Sequence, residues 1–338
     1  MSKRINSIDA LRIIAAFFII CIHASYFGKE YVCYFAKCAV PVFFMISGYF
    51  FIGSKKESQL RSIKKIFILL VLTNILFIFF KYGFSVFKHT TDEFFTKSFS
   101  LDALFNFFVL NESPFGLHLW FLSALLYCMI IAFFLSKIKI NKKILIPVIC
   151  LLLLGDLCLG KYSVVLFGRT FSPLYARNFL FLGLPNFYIG SLFKEVSPDR
   201  IKIGNPALVG LIALFTATTA AEKYILAALD MSGVREHYIS TTLLSLAVFA
   251  LAVKNADYDK KGVVSFLANW GRKYSLFIYV FHILVYFVLK VMRSSIGIVN
   301  TICNYTEPFI IFAISLLAAV IYYKLKDLVI GKFSKKVN

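Results

Sequence analysis

Two polar side chains interrupt the first apolar segment of the chain and are the strongest candidates for chemistry. Arg12 and His23 lie in the sequence INSIDALRIIAAFFIICIHA, which begins at Ile5. At 100° per residue their separation is about 20° from a whole number of helical turns, so both side chains project from one helix face, about 16 Å apart along the axis. Asp9 lies three residues before Arg12 and can pair with it.

An arginine inside a membrane segment costs about 2.5–3.5 kcal/mol on insertion scales. Such a residue therefore normally faces a partner or a cavity and marks a functional path, and a histidine can exchange a proton near neutral pH. The alternative is a structural pair of Asp9 and Arg12 near the inner interface, with His23 merely hydrogen-bonded. These residues alone leave the two interpretations open.

The composition requires a membrane around the elements that position these groups. Of the 338 residues, 60% are hydrophobic and 16% are charged, whereas soluble domains have about 45–50% apolar and about 25% charged residues. The apolar residues fall into runs close to the length that crosses a bilayer. The net charge of +20 does not indicate a nucleic-acid partner, because the Lys and Arg residues cluster at the ends of these runs.

The runs predict an all-α, polytopic transmembrane helix bundle of about ten spans, forming a single domain over residues 1–338. The predicted spans are 6–26, 33–53, 66–84, 117–135, 144–160, 179–193, 205–221, 238–254, 274–291 and 306–323. The excess of Lys and Arg in alternate loops favours both termini in the cytoplasm. The stretch 101–110 is predicted to lie in the outer interface as an amphipathic helix. The seven cysteines have no metal-type spacing, so neither a metal site nor a disulfide is predicted.

Four further motifs accompany Arg12 and His23. They are AVPVFFMISGYFF (39–51), GLHLWFLSALLY (116–127), YARNFLFLGLPNFYIGSLF (175–193) and YSLFIYVFH (274–282). In their order and spacing, together with the arginine and histidine separated by ten residues, they resemble the bacterial acyltransferase-3 family of integral membrane proteins over nearly the whole chain. The HLWFL and RNFLFLGLP elements are most similar to the branch that includes the membrane domain of vancomycin-resistance serine racemases.

The resemblance implies a multi-pass enzyme of the cell membrane that transfers an acyl group, usually acetyl, from cytoplasmic acyl-CoA. The implied acceptor is a hydroxyl of a cell-envelope glycan or lipid-linked sugar, and acetyl-CoA is implied as a co-substrate rather than a tightly bound cofactor. His23 matches the family's essential histidine and is assigned as general base or acyl-relay residue. Arg12 matches its basic partner, which could hold a CoA phosphate or orient the thioester.

Further residues are predicted to bind the substrates. Arg61, Lys64 and Lys65 lie in a basic loop, residues 55–65, that could receive CoA phosphates. Many family members have paired arginines there, and the lysine at position 64 removes bidentate recognition. The predicted acceptor-binding residues are His118, Trp120, Arg177, Asn178, His282 and Ser47.

Ordinary structural roles remain open for several of these side chains. His118 and Trp120 could belong to an interfacial aromatic belt, and Arg177 could snorkel to lipid headgroups. Ser47 is more readily explained by close helix packing, and His282 could donate to a backbone carbonyl.

The polar residues elsewhere in the chain are given no catalytic role. Asp156 and Glu307 are interpreted as interfacial, and the loop histidines His89 and His237 are assigned nothing. Two other functions stay open: a transporter of a small polar solute such as serine, since the spans carry buried polar residues, and an inactive envelope scaffold.

Overall fold

The computed structural model describes residues 5–136, 138, 141–235, 237–256 and 262–334, with side chains described through Leu328. The described residues form helices and no strands, which confirms the all-α class. The α-helices are α1 (Asn6–His23), α2 (Lys29–Ala36), α3 (Ala39–Phe51), α4 (Lys56–Phe87), α5 (Thr91–Ser98), α6 (Leu101–Val109), α7 (Trp120–Leu135), α8 (Lys142–Leu159), α9 (Ser163–Phe167), α10 (Leu184–Glu195), α11 (Asn205–Ala228), α12 (Ile239–Lys254), α13 (Val263–Ser295) and α14 (Gly297–Ser334).

Each predicted span coincides for most of its length with helices of the described residues, so the polytopic architecture is confirmed. Seven helical segments are long and apolar enough to cross a membrane: Asn6–His23, Lys29–Phe51, Lys56–Phe87, Leu117–Leu135, Asn205–Ala228, Val263–Ser295 and Gly297–Leu328. The other three predicted spans correspond to α8, to α10 with the π-helical turn before it, and to α12, which has 16 residues. These three are shorter or carry more charge.

Some predicted boundaries were wrong, because hydropathy does not mark where a helix ends. The predicted basic loop 55–65 and the span 66–84 belong to one helix, α4, which begins at Lys56. Lys, Glu and Gln are good helix formers, so the helix continues through the polar stretch. Conversely, the span 33–53 is divided between α2 and α3, and α1 ends at His23.

The chain divides into two compact units. The terminal unit contains residues 5–39 and the described residues from Asn255 onward, and the central unit contains residues 40–254. In the terminal unit, α1 and α13 run in the same direction and touch at Gly271. A Cβ atom on Gly271 would lie 1.8 Å from the carbonyl oxygen of Asp9, so only glycine permits this approach.

Aromatic side chains attach α14 to α1 within the terminal unit. The ring of Phe17 lies 5.3 Å from that of Phe309 and 5.5 Å from that of Phe312, measured between centroids. Such tilted and edge-to-face pairs add about 0.5–1.5 kcal/mol each to the area that they bury. The helix that carries Arg12 and His23 is therefore held by both α13 and α14.

Two glycines bring α3 and α10 together in the central unit. A Cβ on Gly48 would lie 1.7 Å from the carbonyl oxygen of Phe187, and one on Gly190 would lie 1.9 Å from that of Met45. The contacts are reciprocal, so the two helices run in opposite directions with their backbones touching. Small residues at such crossings are the usual means of packing membrane helices closely.

Candidate active site

A polar cluster forms where the first turn of α1 meets α13. The carboxylate of Asp9 accepts a hydrogen bond from Nη1 of Arg272 at 3.0 Å and lies 3.6 Å from Nη1 of Arg12. Arg272 also donates to Oδ1 of Asn6 at 3.3 Å and to Asn269. Asp9 is 3% exposed, whereas each arginine side chain is 26% exposed. The predicted pairing of Asp9 with Arg12 is confirmed, and Arg272 joins it.

This cluster carries one net positive charge, because two guanidinium groups share one carboxylate. A buried carboxylate is tolerated only when it is paired and hydrogen-bonded, and both arginines serve Asp9 in that way. The remaining positive charge is partly exposed, and planar guanidinium groups suit a phosphate or a polarised carbonyl oxygen. Sequence reasoning missed Arg272, because it lies 263 positions from Asp9 and only the packing of α1 on α13 brings them together.

Two imidazoles meet at the other end of α1. The ring centroids of His23 and His282 lie 5.3 Å apart, with the ring planes inclined by 42°. His282 is fully buried in α13, and its Nδ1 lies 2.7 Å from the carbonyl oxygen of Tyr279. A carbonyl oxygen only accepts hydrogen bonds, so Nδ1 of His282 carries the proton and Nε2 of the neutral ring carries the lone pair. His23 is the last residue of α1 and is partly exposed.

The two polar clusters occur at matched positions on α1 and α13. Arg12 precedes His23 by eleven residues and Arg272 precedes His282 by ten, so each helix places its arginine and histidine about 15–16 Å apart along its axis. A Cβ on Gly271 would lie 3.4 Å from the Cβ of Arg12. Arg12 and His23 therefore both face α13, as their spacing predicted.

A third polar cluster fixes the chain just beyond His23. Nη1 of Arg293 donates to the carbonyl oxygen of Ser25 at 2.7 Å and to Oε1 of Glu307 at 2.9 Å, and its Nη2 donates to Asn304 at 2.7 Å. The backbone N–H of Ser25 donates to the other oxygen of Glu307. Glu307 is 1% exposed and its carboxylate is paired inside the protein, while its interpretation as an interfacial residue stays a prediction. This cluster ties α1, α13 and α14 together two residues after His23.

Two of the predicted acceptor residues lie together in the central unit. The guanidinium carbon of Arg177 lies 5.6 Å from the ring centroid of Trp120, and Nη2 of Arg177 lies 3.6 Å from Glu112. A cation over an indole face is a favourable electrostatic arrangement. His118 is buried, and its ring packs edge-to-face on Phe77 at 4.8 Å.

The polar side chains of Asn178 and Ser47 both form hydrogen bonds within the protein. Oδ1 of Asn178 accepts from the backbone N–H groups of Leu180 at 2.9 Å and Phe181 at 3.1 Å, so Asn178 caps the π-helical turn before α10. The hydroxyl of Ser47 donates to the carbonyl oxygen of Phe43 at 2.8 Å, within α3. Substrate binding by either side chain stays a prediction.

The predicted CoA-binding residues lie on the first turns of α4. Arg61, Lys64 and Lys65 are exposed, and Nε of Arg61 donates to the carbonyl oxygen of Glu57 at 3.3 Å. The helix presents their charges on its second and third turns. Their position is compatible with phosphate binding, which stays a prediction.

Sequence reasoning also missed a buried polar group in the central unit. Asp156, interpreted as interfacial, is 1% exposed. Its carboxylate lies 3.1 Å from Nη1 of Arg235 and is bonded to Nδ1 of His237, to which no role had been given. Neither Arg235 nor His237 stands in a periodic pattern, and the sequence contains no signal that joins a helix end to a loop about 80 residues later.

Comparison with known proteins identifies one family. The acyltransferase-3 family model, described as an acyltransferase domain, matches residues 5–324. The match includes α1, all of α13 and most of α14, and so every residue of the three polar clusters. No curated protein and no solved structure matches the chain significantly.

Proposed function

The chain belongs to the acyltransferase-3 family of membrane acyltransferases, and on that premise we propose that it moves an acetyl group from cytoplasmic acetyl-CoA to a hydroxyl. The proposed acceptor is a cell-envelope glycan or lipid-linked sugar. The observation that carries the proposal is the meeting of His23 with His282, on the same two helices that hold the cluster of Asp9, Arg12 and Arg272.

In the proposed reaction His23 acts as the general base. A hydroxyl is a weak nucleophile, so His23 removes its proton as the oxygen attacks the thioester carbonyl carbon. The bond from that carbon to sulfur then breaks, and His23 returns the proton to the departing thiolate, which leaves as CoA thiol. The products are the acetyl ester and CoA, and His23 regains its starting state.

His282 positions His23 in this proposal. Its Nδ1 proton is committed to the carbonyl oxygen of Tyr279, so the ring has one fixed tautomer. Fixing the tautomer and the plane of a neighbouring ring is how buried histidines commonly tune a catalytic group.

Positive groups provide the proposed binding of acetyl-CoA. Arg12 and Arg272 keep one net positive charge after pairing with Asp9. Arg61, Lys64 and Lys65 add three positive charges near the start of α4. CoA carries several phosphate charges, and guanidinium and ammonium groups are their usual partners. In the central unit, Arg177 is the proposed acceptor contact, with the buried Trp120 ring supporting its guanidinium.

A purified-protein assay tests the proposed base. The protein is placed in lipid nanodiscs with an envelope-glycan extract and radiolabelled acetyl-CoA, and transfer to glycan is measured for wild type, His23→Ala and His89→Asn. His89 is exposed and has a φ of 55°, a conformation that asparagine tolerates, so His89→Asn is the matched control.

We expect His23→Ala to abolish transfer and His89→Asn to leave it unchanged. Transfer at the wild-type rate by folded His23→Ala protein would overturn the role of His23. Uptake of labelled serine into proteoliposomes without acetyl-CoA would instead favour a transporter. Mass spectrometry of envelope glycans from cells with and without the protein identifies the acceptor.

A further inference from the structure

The buried polar group of the central unit contains a carboxylate, an imidazole and a hydroxyl in a row. Asp156 accepts from Nδ1 of His237, and Nε2 of His237 lies 3.5 Å from Oγ1 of Thr242. We propose that Thr242, His237 and Asp156 form a second acyl-transfer site, in which the Thr242 hydroxyl takes an acyl group from an activated ester or thioester. The proposal does not depend on the site around His23.

The order of contacts is the one that activates a hydroxyl. The carboxylate of Asp156 lacks a proton to give, so Nδ1 of His237 carries the shared proton and Nε2 presents its lone pair to Thr242. This is the acid, base and nucleophile arrangement that recurs on unrelated folds and is recognised by geometry rather than by sequence order. A separation of 3.5 Å is long, but catalytic hydrogen bonds commonly tighten only when substrate binds.

Burial differs along the row in the way that a reactive site requires. Asp156 is 1% exposed and His237 is 4% exposed, whereas Thr242 is partly exposed in the first turn of α12. The nucleophile of the row therefore belongs to a partly exposed residue, while the base and its acid are shielded. Shielding strengthens the interaction between the carboxylate and an imidazolium that forms during reaction.

Other charged groups hold the row in place. Nη1 of Arg235 lies 3.1 Å from Oδ1 of Asp156 and pairs with the carboxylate on the side away from His237. Nζ of Lys161 donates to the carbonyl oxygen of Gly233 at 2.9 Å, which fixes the loop that carries His237. Glu222 accepts from the N–H of Ser240 at 3.1 Å and so fixes the start of α12.

The Thr242 hydroxyl is oriented differently from hydroxyls that serve only a helix. Thr216 and Ser245 each donate to the carbonyl oxygen four residues earlier, at 2.8 Å, which is the common arrangement for such residues inside helices. The hydroxyl of Thr242 lies against an imidazole instead. Both ring nitrogens of His237 therefore have a polar side-chain partner.

The proposed chemistry has two balanced halves. Oγ1 of Thr242 attacks the acyl carbon of the donor and passes its proton to Nε2 of His237, and the donor's alcohol or thiol leaves with that proton. Thr242 then carries an ester. An acceptor hydroxyl attacks this ester and gives its proton to His237, the bond from the acyl carbon to Oγ1 breaks, and Thr242 recovers the proton.

Acetylation of Thr242 in the full-length protein tests the proposal. The purified protein in detergent is mixed with p-nitrophenyl acetate, release of p-nitrophenolate is followed, and the acetylated residue is located by mass spectrometry of its peptides. The variants are Thr242→Val, Thr242→Ser and Asp156→Asn, with Thr216→Val as the matched control. Thr216 lies on α11 and donates only to the carbonyl oxygen of Ile212, at 2.8 Å.

We expect an acetyl group on Thr242 in the wild type and in Thr216→Val. In Thr242→Ser we expect it on the replacement hydroxyl at position 242. Thr242→Val should abolish acetylation. Asp156→Asn should slow it by at least about 100-fold, because His237 is then no longer held in the reactive tautomer and the imidazolium loses the carboxylate that stabilises it. Unfolding midpoints within a few degrees of wild type show that a variant is folded. Wild-type p-nitrophenolate release by folded Thr242→Val protein, or no acetyl group on Thr242 in wild type, would overturn the proposal.

The test separates this site from the proposed transfer reaction. His23→Ala protein should acetylate Thr242 at the wild-type rate from p-nitrophenyl acetate while failing to transfer acetyl groups from acetyl-CoA to glycan. Loss of Thr242 acetylation in folded His23→Ala protein would overturn the claim that the site works by itself.

Discussion

The imidazole rings of His23 and His282 lie with their centroids 5.3 Å apart, one at the end of α1 and the other in the middle of α13. His282 has no exposed surface, and its Nδ1 proton is directed to the carbonyl oxygen of Tyr279. The pair is therefore one fixed ring beside one partly exposed ring. In the proposed reaction the partly exposed ring of His23 meets the substrate and the fixed ring of His282 positions His23.

Replacing His282 should lower turnover without unfolding the protein. We expect His282→Gln to reduce kcat for acetyl transfer by up to about 10²-fold, the cost of misplacing a reacting group by about 1 Å, because His23 loses its oriented neighbour. KM for acetyl-CoA should change little. Initial rates in nanodiscs across acetyl-CoA concentrations check this result.

The double variant His23→Ala and His282→Gln provides the control for this prediction. Two residues that act as one unit are not additive, so the double variant should be no slower than His23→Ala alone. Multiplicative losses would show that His282 acts independently of His23.

Gly271→Ala should separate α1 from α13. The new Cβ would lie 1.8 Å from the carbonyl oxygen of Asp9, so the helices must move apart, and overpacking of this kind costs about 1–3 kcal/mol. The unfolding midpoint in detergent should fall, and acetyl transfer should fall with it, because Asp9, Arg12 and Arg272 share this crossing.

Gly210→Ala is the matched control for the helix crossing. Gly210 lies inside α11 with no atom within 4 Å of an added Cβ, so alanine there should leave stability unchanged or raise it by about 0.5–1 kcal/mol. Equal midpoints for the two alanine variants would contradict the close approach of α1 and α13.

The polar clusters show which contacts the sequence could predict. The pair of Asp9 and Arg12 is three residues apart on one helix, and the shared face of Arg12 and His23 follows from helical geometry. Such relationships are local and need no knowledge of packing. The transmembrane helices could be predicted from the apolar runs in the same way, because the bilayer thickness sets the length of each run.

The missed contacts are all long-range. Arg272 lies 263 residues from Asp9, and His237 lies 81 from Asp156. No periodicity connects such positions, so their buried charges looked like ordinary interfacial or loop residues. The approach of His282 to His23 is also long-range, 259 residues apart, and was not predicted; His282 had been assigned to acceptor binding instead.

Glu307→Gln should destabilise the terminal unit. The carboxylate is 1% exposed and bonds both Arg293 and the backbone of Ser25, and removing one partner of a buried ion pair costs about 3–5 kcal/mol. Because Ser25 follows His23 by two residues, we also expect slower acetyl transfer. Thermal unfolding in detergent and the nanodisc assay measure the two effects.

Asp327→Asn is the surface control for Glu307→Gln. Asp327 is 67% exposed and lies 3.7 Å from Lys273, and an exposed pair contributes at most about 1 kcal/mol. Its variant should unfold close to the wild-type midpoint. A loss of stability as large as that of Glu307→Gln would show that burial is not the source of the effect.

Arg177→Lys tests the proposed acceptor contact in the central unit. The guanidinium of Arg177 lies 5.6 Å from the Trp120 ring and 3.6 Å from Glu112. Lysine keeps the positive charge but lacks the planar group that stacks on aromatic rings and forms bidentate hydrogen bonds. We expect KM for the glycan acceptor to rise by about 10-fold, equivalent to about 1.4 kcal/mol, with KM for acetyl-CoA unchanged.

Arg169→Lys is the matched control, since Arg169 is exposed and lies 4.8 Å from the Phe171 ring. If both variants raise the acceptor KM equally, loop charge rather than the Arg177 and Trp120 pair binds the acceptor, and if neither does, the acceptor binds elsewhere.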